Sequence, residues 1–503
     1  MCGLVGYVGQ QQALDVVIEG LRRLEYRGYD SAGVALVDGR SLETRKRAGK
    51  LANLEEVLAA SPMKASTTGI GHTRWATHGA PNDRNAHPHL DDDGEVAVIH
   101  NGIIENFAVL RAELEGRGHA LRSDTDTEVV AHLLAEEYAP AGEDLAEAMR
   151  RVCGKLDGAF TLLAVHAKRP DVVVGARRNS PLVVGRGDGE NFLASDVAAF
   201  IAHTRDAIEL GQDQVVELTP DAVTVTNFDG TPADTKEFRV TWDAAAAEKA
   251  GYTSFMLKEI DEQPRAVADT LLGRFNKEGR LSLDEMRLTD TDLRIVDKVI
   301  VIACGTSYHV GLIAKYAIEH WTRIPTEVEL ASEFRYRDPV VTNKTLVIAI
   351  SQSGETMDTL MALRHAREQQ AKVLAICNTN GSTIPRESDA VLYTHAGPEI
   401  AVASTKAFLT QIVASYLVGL YFAQVLGTKF GDEIKTLLTE LTDIPSKIDV
   451  VLDRRDSVRA LGREIADAKA VLFLGRHVGY PVALEGALKL KELAYMHAEG
   501  FAA

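Results

Sequence analysis

Three stretches of the sequence decide how its second half folds: VIVIACGTS (Val299–Ser307), TLVIAISQSGET (Thr345–Thr356) and KVLAICNTNGST (Lys372–Thr383). Each is an apolar run of the kind that a parallel sheet buries on both faces, and each ends in small hydroxylated residues. Strand, polar loop and helix, repeated in that order, predict a doubly wound, flavodoxin-like α/β lobe. Ligands of such sheets sit beyond the carboxyl ends of the strands, where these Ser/Thr/Gly loops fall.

Working outward, residues 1 to about 240 read differently. Strand-like runs at Leu4–Val8, Gly33–Val37, Val96–His100, Phe160–Val165 and Val172–Gly175 predict a sheet-rich α+β sandwich covered by helices. Between Phe228 and Tyr252 the pattern loosens into TPADTKEF and an Ala-rich polar run, which marks a domain junction. Toward the other end, AVLFLGRHVGYPVA from Ala470 repeats the pattern of VIVIACGTSYHVG from Val299 when Gly305 is placed over Gly475. The expected division is 2–240, a lead-in over 241–285, a complete lobe over 286–430, and a connecting helix with the start of a second lobe over 431–503. One βα unit cannot close a sheet, so the sequence is expected to be a piece of a longer chain, short by on the order of 100 residues.

Composition narrows the function classes. The 503 residues predict about three domains, and 55 Lys plus Arg against 72 Asp plus Glu give 55 − 72 = −17. So acidic a chain argues against a nucleic-acid partner. Four scattered cysteines, Cys2, Cys153, Cys304 and Cys377, form no CxxC pair, which points to a reducing cytoplasm and no structural zinc. No basic region followed by an apolar stretch opens the sequence, so no signal peptide is expected. Ala407–Thr428 carries no charge, but Thr410, Gln411, Ser415, Gln424 and Thr428 punctuate it. It reads as a buried helix, not a membrane span.

The first chemical candidate is Cys2. With Met1 removed, it offers a thiol beside an α-amine whose ordinary pKa of about 8 suits it to act as a base. The segments RRLEYRGYDSAG (Arg22–Gly33), GHTRWATHG (Gly71–Gly79), HNGIIEN (His100–Asn106) and SDTDTEV (Ser123–Val129) accompany it. Together they resemble the glutamine-hydrolysing domain of the N-terminal-nucleophile amidotransferases, which implies a four-layer αββα sandwich. Free glutamine needs a cation for its α-carboxylate and an anion for its α-ammonium. The resemblance implies Arg74 and Asp126 for these roles, with Trp75, Thr77 and His78 also at the glutamine site and Trp75 gating an ammonia tunnel. It further implies an oxyanion hole made by the Asn101 side chain and the Gly102 N–H. Taken singly, Arg74 reads equally as a surface ion pair, Asp126 as a helix N-cap, Asn101-Gly102 as a hairpin turn and Trp75 as a core residue.

The Ser/Thr loops are the second candidate, since hydroxyls and N–H groups at a helix start favour a phosphate. They resemble the sugar isomerase (SIS) family, which implies Ser307, Ser351, Gln352, Ser353 and Thr356 as the phosphate cradle. Cys304, Gly305, Thr306 and the segment Val402, Ala403, Ser404 and Thr405 would line the sugar site. Plain helix capping is the alternative reading.

The third candidate is the helix PVALEGALKLKELAYMHAEG (Pro481–Gly500), where Glu485, Lys489 and Glu492 fall on a narrow stripe bordered by Leu488 and Leu493. Such a stripe is either a cleft-facing acid–base set or an exposed salt-bridge ladder.

The order of the two halves, with KEIDEQP (Lys258–Pro264) opening the second, resembles the isomerizing glutamine:fructose-6-phosphate aminotransferase family. That resemblance implies glutamine and fructose 6-phosphate as substrates, glutamate and glucosamine 6-phosphate as products, and Glu492 as the base moving a proton between C1 and C2. It also implies a homodimer, with no metal or cofactor. The ring-opening histidine of a GELKHGP-type motif and a near-terminal Schiff-base lysine would lie beyond Ala503. The alternative is a chain that hydrolyses glutamine and binds phosphosugar without completing synthesis. An asparagine synthetase would need SGGxDS, and a phosphoribosyltransferase an acidic-pair diphosphate loop. SQSGETMD is neither.

Overall fold

Gly3–Val8 is buried at every residue, which a strand achieves only between two covering layers. It pairs antiparallel with Asn191–Ala194 on one side and Thr68–Arg74 on the other. The computed structural model describes residues 2–25, 28, 30–39, 41–74, 79–240, 251–283 and 286–503. Contacts divide the chain into two units, Met1–Glu248 and Lys249–Ala503.

The first unit holds an eight-stranded sheet ordered Lys236–Arg239, Asp206–Glu209, Val183–Arg186, Asn191–Ala194, Gly3–Val8, Thr68–Arg74, Ser31–Asp38 and Ser41–Ala48. A six-stranded sheet runs Val223–Asn227, Gln214–Leu218, Val173–Arg178, Gly158–His166, Val96–Ile104 and His89–Leu90. Leu4, Val8 and Ile70 of the first sheet meet Ile99, Leu163 and Val216 of the second in one apolar layer. Helices Ala13–Leu24 and Leu51–Ala60 cover the outer face of the first sheet through Val16, Leu21 and Leu54. Glu128–Tyr138 and Leu145–Cys153 cover the second through Val130, Leu134 and Met149. The layering is αββα.

In the second unit five parallel strands lie in the order Thr326–Leu330, Lys298–Ala303, Thr345–Ser351, Lys372–Cys377 and Ala390–Tyr393. The chain runs from the first strand out to the second, then returns past the first to lay down the third. The switch point therefore falls between Lys298–Ala303 and Thr345–Ser351, and CGTS and SQSGET leave the sheet on either side of it. Helices Gly305–Thr322 and Lys406–Leu426 cover one face, while Ala331–Tyr336 and Met357–Glu368 cover the other. The fold is doubly wound with the flavodoxin-like order.

Lys406–Leu426 is the one helix among the described residues long and apolar enough to cross a membrane, but 67% of its apolar window is buried. Its Thr410, Gln411 and Ser415 are buried with the apolar residues, as a core helix requires. Phe255–Asp261 and Gln263–Leu271 also pack in this unit, with Val267 and Leu271 against Val413 and Leu417.

Beyond lie three helices, Gly431–Thr442, Ile444–Leu452 and Arg455–Glu464, where the sequence pattern suggested one. Ala470–Gly475 then crosses over through helix Gly479–Ala494 to a parallel partner, His497–Ala502. This second strand, HAEGFA, has neither an apolar run nor alternation, which is why the sequence reading stopped at the helix.

Candidate active sites

In the first unit, antiparallel register places Gly3 opposite Thr73, so Cys2 and Arg74 follow on neighbouring strands. Asn101 and Gly102 lie within the strand Val96–Ile104, opposite Thr161 and Phe160, and not in a hairpin turn. Gly102 has φ +128°, and a Cβ there would lie 2.0 Å from the Ala159 carbonyl oxygen. Only glycine fits a backbone this close to its neighbour.

The Asn101 amide donates from Nδ2 to the Cys2 carbonyl at 2.8 Å, and its Oδ1 lies 2.9 Å from His72 Nε2. The carbonyl can only accept, so the amide NH₂ must face Cys2 and Oδ1 must face His72. His72 therefore carries its proton on Nε2 and donates it. Burial pushes the His72 imidazole down to about 3, so at neutral pH the ring is uncharged.

Three more buried imidazoles surround it. His87 packs edge-on against His72 with ring centroids 4.2 Å apart, and against His89 at 4.9 Å. His87 Nε2 and His100 Nδ1 both contact the Thr127 hydroxyl, at 2.8 and 3.0 Å, and Thr125 Oγ1 meets His89 Nε2 at 3.1 Å. Burial depresses all three, and for His100 it outweighs the opposing pull of Asp126.

Arg74 is buried, with its guanidinium donating to the Gly79 and Ala80 carbonyls, so it is no surface ion pair. Asp126 is no helix cap either: Thr127 holds that position, and Asp126 Oδ2 accepts the Ile104 N–H at 2.9 Å. Glu128 accepts from the Arg122 and Ser123 N–H groups and the Ser123 hydroxyl, which folds SDTDTEV into the turn that presents Asp126. Trp75, Thr77 and His78 lie outside the described residues.

In the second unit the strand ends at Ala303 and Gly305 already opens the helix, so Thr306 and Ser307 stand in its first turn and not in a loop. Ser307 Oγ donates to Gln411 Oε1 at 3.0 Å, joining the starts of helices Gly305–Thr322 and Lys406–Leu426. The Thr359 hydroxyl leans on Cys304 Sγ at 3.9 Å. SQSGET forms a tight turn: Ser351 Oγ accepts the Gly354 N–H at 3.0 Å and lies 3.2 Å from Thr356 Oγ1, while Ser353 Oγ accepts the Glu355 N–H. The Gln352 carbonyl accepts the Asn378 N–H. Gly354 has φ +68°, and a Cβ there would lie 1.9 Å from Ser382 Oγ.

Val402, Ala403 and Ser404 sit in the loop ahead of Lys406–Leu426. One carboxylate, Glu399, accepts from Ser404 Oγ and from the Thr405 and Ala407 N–H groups. Glu259 accepts the Ile400 and Ala401 N–H groups, and Glu262 pairs with Lys406 at 2.7 Å. KEIDEQP is thus the clamp of this loop. Burial pushes the Glu259 carboxyl up to about 7 despite its two backbone donors.

The helix Gly479–Ala494 lays Glu485 against the first turn of Gly305–Thr322. Thr306 Oγ1 donates to Glu485 Oε1 at 2.8 Å, His309 Nδ1 lies 2.7 Å from Oε2, and Lys489 Nζ donates to Thr306 Oγ1 at 2.8 Å. Lys489 also pairs with Glu492 at 2.6 Å, and Glu492 is the exposed end of the stripe. Burial raises the Glu485 carboxyl, but the His309 hydrogen bond and the Lys489 charge outweigh it and hold it below the ordinary value. The stripe is a buried acid–base set at one end and a solvent ladder at the other.

The Glutamine amidotransferase domain family matches residues 72–202, and the SIS domain family residues 292–421. The glutamine–fructose-6-phosphate aminotransferase (isomerizing) of Streptomyces coelicolor is 74% identical over 503 residues, covering 100% of this chain and 82% of that one. The chain belongs to the isomerizing glutamine–fructose-6-phosphate aminotransferase family. The aminotransferase of Corynebacterium efficiens is 64% identical over 510 residues, with the same 82% of its length covered. A solved C-terminal domain of the glucosamine-fructose-6-phosphate aminotransferase from Francisella tularensis is 42% identical over 51% of this chain and 72% of its own, with a TM-score of 0.49.

Several residues of this aminotransferase chain escaped sequence reasoning: His72, His87, His89, His309, Glu259, Glu399 and Gln411. His72 and Glu259 lie inside motifs already quoted, GHTRWATHG and KEIDEQP. The motifs are longer than the roles assigned to them, and the surplus positions hold the others in place.

Proposed function

We propose that the chain transfers the amide nitrogen of L-glutamine to fructose 6-phosphate, giving L-glutamate and glucosamine 6-phosphate. The observation that carries this reading is the Asn101 amide fixed beside Cys2, in a chain whose whole length matches this family. With Met1 removed, the Cys2 α-amine takes the thiol proton, directly or through water, and the thiolate attacks the glutamine side-chain amide. Arg74 holds the substrate carboxylate and Asp126 its ammonium, with Trp75, Thr77 and His78 completing the pocket. The oxyanion is met by an Asn101 N–H and the Gly102 N–H. Collapse expels ammonia, and water releases glutamate from the thioester.

At the sugar, Ser307, Ser351, Gln352, Ser353 and Thr356 hold the phosphate, while Cys304, Gly305, Thr306, Val402, Ala403 and Ser404 line the sugar. Glu492 moves the proton between C1 and C2, with Lys489 and Glu485 beside it. Glu485, held below the ordinary carboxylate range, stays ionised at neutral pH and serves as an acceptor. The division of labour follows residues 2–240 for glutamine and 286–430 with 431–503 for the sugar, joined by 241–285. A cytoplasmic homodimer completes the reading, and sedimentation equilibrium tests the dimer.

The test is to supply glutamine and fructose 6-phosphate and measure both products. Glutamate with glucosamine 6-phosphate is expected. Glutamate alone overturns the sugar half, and neither product overturns both.

A further inference from the structure

Apart from the two sites, three segments of the first unit bring together a carboxylate and two imidazoles: Asp92 ahead of the strand Val96–Ile104, His119 after the helix Phe107–Gly116, and His132 on Glu128–Tyr138. One donor atom from each lies within 4.8 Å of the other two. Asp92 Oδ2 is 2.8 Å from His119 Nδ1 and 3.5 Å from His132 Nδ1. Tetrahedral zinc, with nitrogen at about 2.0 Å and oxygen at about 2.1 Å, sets its donors about 3.4 Å apart. These two edges fall on either side of that value.

A second observation points the same way. His132 is 1% exposed, yet neither ring nitrogen has a hydrogen-bond partner, although Nδ1 is aimed at the shared carboxylate oxygen. An imidazole buried without partners is costly unless something occupies its lone pair. The outer nitrogens also face carboxylates. His119 Nε2 is 3.0 Å from Glu136 Oε1, and Glu136 is held by Arg117 at 2.8 and 3.0 Å. His132 Nε2 is 4.0 Å from Glu128 Oε1. A metal ion would replace the proton that His119 Nδ1 now shares with Asp92, and Glu136 would then accept from Nε2, which is how a carboxylate orients a metal-binding histidine.

We propose that Asp92, His119 and His132 form a binding site for a divalent transition-metal ion of the zinc class, through Asp92 Oδ2 and the two Nδ1 atoms. Two nitrogens and one oxygen suit zinc, cobalt or nickel better than calcium or magnesium. The ion takes no part in the amide or sugar chemistry. It ties together three segments of the first unit.

The full-length chain carrying Cys2→Ala, which removes the thiol at the glutamine site, is stripped with chelator and titrated with Co²⁺ and then Zn²⁺. One Co²⁺ per chain with a visible d–d band, displaced by one Zn²⁺, is expected, together with a rise in Tm on Zn²⁺ addition. Asp92→Asn with His119→Gln abolishes the band, and Glu136→Gln weakens binding by about 10- to 100-fold. In the Cys2 form the Asp92→Asn and His119→Gln pair retains glutamine hydrolysis, which separates loss of metal from loss of fold. Absence of a stoichiometric band, or equal binding by the double variant, overturns the site and leaves a metal-free His119–Asp92 ion pair.

Discussion

The two candidate sites are built on opposite electrostatic plans. At the candidate glutamine site the Asn101 amide is held by a neutral imidazole, His72, with His87, His89 and His100 buried nearby, and burial lowers the pKa of all four. At the candidate sugar site the proposed contacts are hydroxyls and N–H groups at helix starts, and the buried groups nearby carry charge: Glu259 and Glu485 as acids, and Lys406 paired with Glu262. The Asn101 amide is backed by uncharged rings, whereas the other site is framed by charged groups. The lesson is that an oxyanion that exists only in a transition state and a phosphate that arrives charged call for different surroundings.

The strongest way to break that contrast is at the nucleophile. Cys2→Ala is expected to lower glutamine turnover by roughly ten-thousandfold or more, and Asn101→Ala by about 10²- to 10³-fold, with fructose 6-phosphate affinity unchanged in both. A loss of sugar affinity in either variant breaks the separation of the sites.

Acid comes next. The four imidazoles have folded pKa values below their unfolded value of about 6.5, so the unfolded chain binds more protons below that pH. Their contribution to the stability of the first unit is complete above about pH 6.5 and is lost as pH falls, by at most about 5 kcal/mol per pH unit. Hydrogen exchange followed peptide by peptide from pH 7 to 5 should show the first unit opening before the second. Simultaneous opening defeats the idea.

Ser351→Ala with Ser353→Ala should weaken fructose 6-phosphate binding by about a hundredfold, at about 1.5 kcal/mol or more for each charged hydrogen bond. Glutamine hydrolysis should stay as it was, and calorimetry checks the affinity.

Glu259 has the opposite sign to the histidines. Its folded pKa of about 7 exceeds the unfolded value of 4.5, so its contribution is complete below pH 4.5 and is lost as pH rises to about 7. The loss is at most about 3 kcal/mol. Glu259→Gln should flatten this decline in the melting temperature of the second unit, and an unaltered slope would remove Glu259 from the account.

The smallest effect sharpens the first. His72→Ala should lower kcat for glutamine by about tenfold with KM nearly constant, because the residue orients Asn101 and touches no substrate. A change in KM alone marks it as a binding residue instead.

Much of this is legible in the sequence. Apolar runs ending in Ser, Thr and Gly announce the parallel lobe, because a strand buried on both faces admits little else. The alternative of a hairpin turn at Asn101-Gly102 fails, since both lie within a strand, and glycine at positive φ serves either place equally well. The donors of Thr306 and Ser307 were assigned to a loop because nothing local marks where a strand passes directly into a helix. His72 and Glu259 were invisible as supports: their partners lie 29 and 141 residues away in sequence, and only the fold brings them together.

One consequence concerns direction. Five helices, starting at Gly305, Ala331, Met357, Thr383 and Lys406, begin beyond the carboxyl ends of the parallel strands, and that of Lys406–Leu426 already carries an anion, because Glu399 accepts from its first N–H groups. A helix start satisfied by its own carboxylate repels a second negative charge. On the proposed reading of the sugar site, a sugar phosphate would be given a polarity: its charged end toward the starts at Gly305 and Met357, and its uncharged carbons toward Val402–Ser404. One helix start filled in advance by its own carboxylate would then sort the two ends of the ligand.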